Sequence, residues 1–418
     1  MSTLSKLRND CFALPAGVHW TPVSEALHLL EQRLRCCVPV EQSAVEDSDG
    51  RILANAVTAV RSHPPCPNSA VDGYAFAGGL PAGAHSMELR EGRSAAGVAF
   101  TGRLVPGQAL RILTGAALPD GADKVVLQED VRIEVGQLHV IGPLRAGANV
   151  RAAGEDMQQG AEIFRASHQL RPEDLGVIAA AGLGEVAVFK RLKVAVISTG
   201  SELRVPGQAA RVDQIFDANR PMLCAVLRRW GMEVVDIGIV PDEAAAVRAA
   251  LDRAAELADV IITSGGASAG DEDHMSAVLR ASGGMELWRI AVKPGRPLAL
   301  GVWGGLPVFG LPGNPVAAFV CALIFARPAL LQLAGAGFQL PQALHLPAAF
   351  SKSKKPGRRE YLRARLRDGT VEVFASEGSG RVSGLSWAEG LVELPDAAAE
   401  IAPGQTVCFL PYASFGLL

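Results

Sequence analysis

Nowhere in the 418 residues does a long run of like charge occur, and Lys plus Arg (40) nearly balance Asp plus Glu (43), for a formal net charge of −3. That balance argues against a nucleic-acid groove or an anionic membrane surface as the main partner and leaves a small ligand as the default. The seven cysteines are odd in number and scattered, with Cys36 and Cys37 adjacent and no CxxC pair, so neither a disulfide framework nor a metal clip is readable. Histidines 19, 28, 63, 85, 139, 168, 274 and 345 stand singly without HExxH, which leaves a zinc site without support. The N-terminus carries Lys6, Arg8 and Asp10 with no apolar core after them, and the strongest apolar run, Val316 to Ala326, is too short to span a bilayer. We therefore expect no signal peptide, no membrane anchor and a reducing, cytoplasmic setting. Fixed-period repeats and heptads are also missing, which sets aside solenoids and coiled coils.

What is present is enough chain for two to four domains. Between Pro22 and Arg35, Val23, Ala26, Leu27, Leu30 and Leu34 recur at helical spacing, and Arg51 to Val60 reads as a short extended segment. From about Arg61 to Gly147 the pattern changes to short apolar runs broken by Gly, Pro and Asp, such as Gln108 to Leu113, Lys124 to Gln128 and Gln137 to Ile141, a small β-rich domain. Gln169 to Gly182 reads as helix again, with Pro172 in its first turn, so the β-rich part interrupts one discontinuous domain. From Leu192 strands and helices alternate: strand Lys193 to Ser198, helix Pro221 to Trp230, strand Glu233 to Val240, helix Asp242 to Leu257, strand Asp259 to Ser264. Such alternation predicts a parallel sheet covered by helices. After Phe350 the segments Tyr361 to Leu366, Val371 to Ala375 and Thr406 to Pro411 predict a small separate β-barrel or sandwich with no helix of useful length. The fold class is thus multidomain α/β plus β: a discontinuous linker domain (1–60 and 149–190), an inserted β-rich domain (61–148), a three-layer α/β domain (191–337) and a C-terminal β-barrel domain (338–418).

In an open α/β sheet, ligands bind outside the carboxyl ends of the strands. Three unusual segments fall at such ends: Ser198-Thr199-Gly200-Ser201-Glu202, Ser264-Gly265-Gly266-Ala267-Ser268-Ala269-Gly270, and Gly310-Leu311-Pro312-Gly313-Asn314-Pro315. The middle loop combines glycines, hydroxyls and a helix start near Asp271, which suits a phosphate or oxyanion, though it lacks the GK[ST] of a P-loop. Glu202, Asp242, Asp271 and Asp273 bring carboxylates to the same edge, and they repel an anion unless a cation intervenes; all-oxygen ligands at a phosphate site favour Mg²⁺. The plainer reading makes Asp242 and Asp271 helix N-caps. Arg289 and Lys293 lie four apart on an extended segment, on one face, as anion ligands or as a solvated strand face. Pro312 and Pro315 make the third loop rigid enough to shape a pocket. Asp72 and Thr114 lie in Gly- and Asp-rich segments that read locally as hairpin turns.

Taken in order, NSAxDGYA (Asn68 to Ala75), LTGAxLPxGAD (Leu113 to Asp123), GEDM (Gly154 to Met157), STGSEL (Ser198 to Leu203), SGGxSxGxxD (Ser264 to Asp273), VKPGRP (Val292 to Pro297) and GLPGNP (Gly310 to Pro315) resemble the molybdopterin molybdenumtransferase (MoeA-type) family across nearly the whole chain, and are similar to the C-terminal region of gephyrin. The resemblance implies an elongated homodimer whose α/β domain binds molybdopterin, with a site between the α/β domain of one subunit and the inserted domain of the other. It implies Mg²⁺-dependent cleavage of adenylylated molybdopterin, with AMP released as molybdate enters the dithiolene. By the same resemblance Glu202, Asp242 and Asp273 hold the metal or orient the attacking oxygen, Arg289 and Lys293 bind molybdate or phosphate oxygens, and Asp156 joins the catalytic set. Asp72, Thr114, Thr199, Gly200, Ser264, Gly265, Gly266, Ser268, Gly270, Pro312, Gly313, Asn314, Pro315, Arg363 and Ser379 are the implied substrate-binding positions. The implied partners are a molybdopterin adenylyltransferase and recipient molybdoenzymes or their chaperones.

Three positions depart from the family pattern: Pro67 where an aspartate precedes NSA, Ala317 where Ser follows GLPGNPV, and Arg289 where Lys is frequent. A specialised or non-catalytic cofactor-carrier paralogue is the alternative these departures suggest. A molybdopterin adenylyltransferase is a second alternative, disfavoured because those enzymes share the α/β domain but lack the linker, inserted and C-terminal domains.

Overall fold

A computed structural model of the chain describes residues 20–265, 274–282, 285–288, 290–295 and 298–417. It divides into two compact units, 42–188 and 1–41 with 189–418.

In the unit 42–188 a mixed six-stranded sheet runs in the order Lys124–Leu127, Gly73–Phe76, Gln108–Ile112, Leu80–Ser94, Gln137–Leu144, Val131–Glu134. Gly73–Phe76 is buried along its whole length, with Tyr74 and Phe76 in one apolar cluster and Ala75 in another, as expected of a strand covered on both faces. Gly73 is fixed by packing, since a Cβ there would sit 1.9 Å from the Val126 carbonyl oxygen. A third cluster draws Val45, Leu53 and Val57 together with Leu170, Ile178, Val186 and Val188. Helix Pro172–Ala180 within it starts as its sequence predicts: Pro172 occupies the first turn, where no N–H is needed, and the Asp174 side chain accepts from the Arg171 backbone N–H (3.0 Å).

In the second unit, the sheet order is Glu233–Val240, Lys193–Thr199, Val260–Ser264, Leu306–Leu311, Leu298–Trp303, Met285–Trp288. The first four strands are mutually parallel, and Lys193–Thr199 is buried at every residue but the first. Ala244–Leu257 and His274–Ala281 pack one face through Val247, Leu251, Met275 and Leu279. Asn219–Arg229 packs against the strands and against helix Pro315–Cys321.

The sheet is mixed rather than purely parallel, which corrects the sequence expectation. Trp303 pairs with Leu306 across Gly304 and Gly305, both at positive φ (56° and 86°), so a two-residue turn reverses the chain. Leu298–Trp303 and Met285–Trp288 consequently join antiparallel.

The apolar run at Val316 belongs to a longer helix than the sequence suggests, Pro315–Leu333, 19 residues with mean hydropathy 2.0. Length and composition would allow it to cross a bilayer, but 89% of it is buried inside the protein, where it forms a core helix. Proline inside a helix ordinarily ends or kinks it. A π-helical stretch, Ala322–Ala326, instead precedes Pro328, which has no N–H to place, and the Arg327 guanidinium donates to the Phe415 (3.0 Å) and Gln339 (3.3 Å) carbonyls.

The C-terminal strands form the order Val292–Lys293, Arg359–Arg367, Gly390–Leu394, Thr406–Pro411, Leu344–Pro347, with Thr370–Val373 paired to Arg359–Arg367. Ala349 N–H donates to Val371 O (2.8 Å), so the strands curl around a core of Leu362, Val371, Val392 and Phe409. This sheet is less separate than its sequence suggests. Val292–Lys293 supplies an edge strand to it, and Trp230 Nε1 donates to the Phe415 carbonyl (2.6 Å).

Asp174 ties helix Pro172–Ala180 to its surroundings, accepting from Arg171 Nε (3.2 Å) and pairing with His168 Nε2 (2.8 Å). Burial raises the pKa of this carboxyl, but the hydrogen bonds from Arg171 and His168 outweigh it and leave it at about 2, against 3.8 ordinarily. A folded pKa below the unfolded one adds stability that is present above about pH 4 and lost as pH falls towards 2. Asp174→Asn should therefore cost about 2 kcal/mol at neutral pH, and denaturant unfolding should show the gap from the unaltered protein closing between about pH 4 and 2.

Candidate functional site

Because four parallel strands end at one edge, the loops after Thr199, Val240, Ser264 and Leu311 converge there. They enclose a cavity of about 670 Å³. Its walls include Thr199, Gly200, Glu202, Asp242, Ser264, Gly265, Pro312, Gly313, Asn314 and Pro315, all singled out from sequence.

The loops approach closely. Gly265 has φ +91°, and a Cβ there would lie 2.4 Å from the Thr199 carbonyl oxygen, so glycine is required on both counts. A Cβ on Gly313 would stand 3.7 Å from the Gly265 Cα. Glu202 folds back over Gly200, where a Cβ would come within 2.6 Å of Oε2. Asp242 is not the N-cap of Ala244–Leu257: Glu243 takes that position, and no side chain caps the helix. Instead the Asp242 backbone N–H donates to Ser201 Oγ (3.3 Å), which brings the second loop against the first.

The sequence reading missed Leu203, Ile215, Phe216, Asp217, Ala218, Asn219, Gly380 and Val382 on the wall. Asp217 and Asn219 are buried polar residues at the start of helix Asn219–Arg229. Asp217 Oδ1 accepts from the backbone N–H groups of Asn219 and Arg220, both at 3.1 Å. The signal was legible as Asp-x-Asn ahead of a helix, though that pattern usually means a cap and nothing more. Thr199 Oγ1 and Asn219 Oδ1 are buried with no hydrogen-bond partner among the described residues. Buried polar atoms are normally satisfied, and both residues belong to the cavity wall.

Other residues singled out from sequence lie elsewhere. Gly266, Ser268, Gly270, Asp271, Asp273 and Arg289 fall outside the described residues. Lys293 is not on the cavity wall; it pairs with Glu377 (2.7 Å) and Glu360 (3.4 Å) beside Lys352. Burial raises the Glu377 carboxyl, and hydrogen bonds from Lys293 and Lys352 outweigh it and hold it below its ordinary range. Arg363 is buried under the loop that carries Gly380 and Val382, donating to the carbonyls of Ser376, Gly378 (3.2 Å) and Arg381 (2.6 Å). It shapes the wall without lining it. Ser379 accepts from the Val316 N–H through its carbonyl (3.1 Å).

In the unit 42–188, Asp72 Oδ1 accepts from both the Thr114 backbone N–H and its hydroxyl, each at 2.7 Å. These bonds, the backbone one foremost, lower the Asp72 carboxyl. Bonds spanning 42 residues are not those of a local turn. Asp156 is exposed, in a bend whose backbone N–H bonds His63 O (3.2 Å).

Among the described residues no group of three or more His, Cys, Asp or Glu is already gathered to hold a metal ion. The described residues of the cavity wall nevertheless include the oxygen-bearing side chains Glu202, Asp217, Asp242, Thr199 and Asn219, the ligand type a hard cation such as Mg²⁺ takes.

Fold and cavity together define a multidomain protein with an oxygen-rich small-molecule site at the carboxyl ends of an α/β sheet. Family models match in succession: the MoeA N-terminal region (domain I and II) over residues 21–182, a probable molybdopterin binding domain over 195–332, and the MoeA C-terminal region (domain IV) over 345–412. Molybdopterin molybdenumtransferase of Haemophilus influenzae is 33% identical over 376 residues, covering 88% of this chain and 93% of its own. Molybdopterin molybdenumtransferase 2 of Mycobacterium tuberculosis is 35% identical over 397 residues, covering 91% and 97%. The solved structure of the molybdopterin biosynthesis MoeA protein from Pyrococcus horikoshii superposes with TM-score 0.82 at 26% identity, covering 94% of this chain and all of that one. The chain belongs to the molybdopterin molybdenumtransferase family.

Gly265→Ala should lower stability by roughly 2 kcal/mol or more, because it adds both a clash with the Thr199 carbonyl and an unfavourable φ. Thermal unfolding followed by circular dichroism would show it; an unchanged melting temperature would mean the two turns are not held this close.

Proposed function

We propose that this enzyme of molybdenum cofactor biosynthesis inserts molybdate into adenylylated molybdopterin and releases AMP, using the cavity at the strand ends. The observation that carries the reading is that one cavity joins anion-binding features to carboxylates: Thr199, Gly200, Ser264 and Gly265 beside Glu202 and Asp242. The hydroxyls and glycine backbone suit phosphate oxygens, and the carboxylates suit the cation that phosphate brings.

Thr199 Oγ1 and Asn219 Oδ1, buried and without hydrogen-bond partners among the described residues, support a ligand at this wall. Glu202 and Asp242 would hold Mg²⁺, with Asp273 as third carboxylate in our reading. Bound there, Mg²⁺ would neutralise phosphate charge and polarise the linkage to be cleaved. Pro312 and Pro315 keep the opposite wall rigid, and Arg363 fixes the Ser376–Arg381 carbonyls so that Gly380 and Val382 close the cavity. Lys293, Arg289, Asp156, Asp72 and Thr114 retain the roles the family resemblance implies.

In the same reading the chain divides into linker, inserted, molybdopterin-binding and C-terminal barrel domains and works as a cytoplasmic homodimer. It takes its substrate from a molybdopterin adenylyltransferase and passes its product to recipient molybdoenzymes or their chaperones.

Purified protein given adenylylated molybdopterin and molybdate should release AMP only with Mg²⁺ present, and molybdenum should remain on the pterin. Asp242→Asn should slow release by a hundredfold or more while circular dichroism shows the fold retained, because it removes charge at the site and keeps the shape of the side chain. Full activity in that variant would refute the assignment. Tight pterin binding without any AMP release would instead identify a carrier.

A further inference from the structure

The cavity wall contains a side chain whose hydrogen bonds constrain another. Asn219, 7% exposed, opens helix Asn219–Arg229, and its Nδ2 donates to Ser264 Oγ and to the Gly313 carbonyl, each at 2.7 Å. A carbonyl oxygen only accepts, so the NH₂ end of the amide must face Gly313, and the orientation of the group is settled by chemistry. Both Nδ2 hydrogens are then used, one on each partner.

Ser264 is 3% exposed and receives a hydrogen at Oγ from Asn219. Its own hydroxyl proton must go elsewhere, the described residues show no hydrogen bond donated by it, and Ser264 lines the cavity. A buried O–H without an acceptor is costly unless a ligand supplies one.

We propose that Asn219 is a positioning residue that commits the Ser264 hydroxyl to donating into the cavity, so that the wall at Ser264 selects an anionic oxygen. The amide also bridges the loop ends at Ser264 and Gly313, so the donor and the rigid Pro312–Pro315 wall move together. The inference deepens the reading of the cavity as a phosphate-bearing site and rests on it for the choice of ligand.

The test is a double-mutant cycle on the full chain, reading AMP affinity by isothermal titration calorimetry with Mg²⁺ present. Asn219→Asp keeps the shape of the side chain but turns both donors into acceptors, so the Ser264 hydroxyl should swing to the carboxylate and away from the cavity. AMP affinity should fall about tenfold or more, the scale of one hydrogen bond to a charged group. Ser264→Ala should fall by a similar factor. Adding Asn219→Asp to Ser264→Ala should cost at least fivefold less than it does alone, since no hydroxyl remains to redirect. Simple repulsion by the new charge, or a purely structural role, would cost the same in both backgrounds and would overturn the proposal. The neutral Asn219→Ala cycle reads the same coupling if the aspartate variant does not fold.

AMP release by the unaltered enzyme without this coupling would defeat the inference and leave the proposed function standing. Coupling in AMP binding without any AMP release would do the reverse. No AMP binding by the unaltered protein would defeat both.

Discussion

The close approach of the Thr199–Gly200 and Ser264–Gly265 turns is the constraint on which the site depends. A Cβ at Gly265 would stand 2.4 Å from the Thr199 carbonyl, so no other residue keeps these two strand ends side by side. Their nearness follows from parallel pairing in register, Ile197 with Thr263 and Ser198 with Ser264, between strands buried on both faces. Parallel strands all deliver their loops to one edge, which is why ligand sites in such sheets gather there. The third loop is held to the same edge by Ser264 pairing with Leu311 and by the Asn219 amide on Gly313.

Around that constraint the polar groups divide into those that hold and those that remain available. Asp217 holds the start of helix Asn219–Arg229, Asn219 holds Ser264 and Gly313, and Arg363 holds the loop bearing Gly380. Thr199 Oγ1 and Asn219 Oδ1 are left without partners among the described residues, in residues that share a cavity wall with Glu202 and Asp242. Leaving oxygens unsatisfied in a stable fold is costly, and binding sites are where proteins tolerate that cost.

Much of this was legible in the sequence because parallel strands are apolar-rich runs, continuous where both faces are covered: Lys193 to Ser198, Glu233 to Val240 and Asp259 to Ser264 fall within a residue of the observed strands. Glycine, proline and aspartate at their ends located the cavity loops. What escaped depends on partners that a linear pattern does not reveal. Trp303-Gly304-Gly305-Leu306 reverses the chain and makes two strands antiparallel, and Val292–Lys293 leaves one sheet to edge another. The apolar run at Val316 continues past Pro328 to Leu333, where a π-helical stretch precedes the proline. Asp217 and Asn219 look like ordinary capping residues, and their burial against Ser264 and Gly313 comes from segments 45 and 94 residues away from Asn219.

A crystal structure of the enzyme with AMP and Mg²⁺ bound would show whether the oxygen-lined cavity at the strand ends receives the phosphate-bearing substrate. A phosphate oxygen should lie within hydrogen-bonding distance of Thr199 Oγ1 or Ser264 Oγ, with the cation on Glu202 and Asp242. Ordered AMP elsewhere, with only water in this cavity, would contradict it.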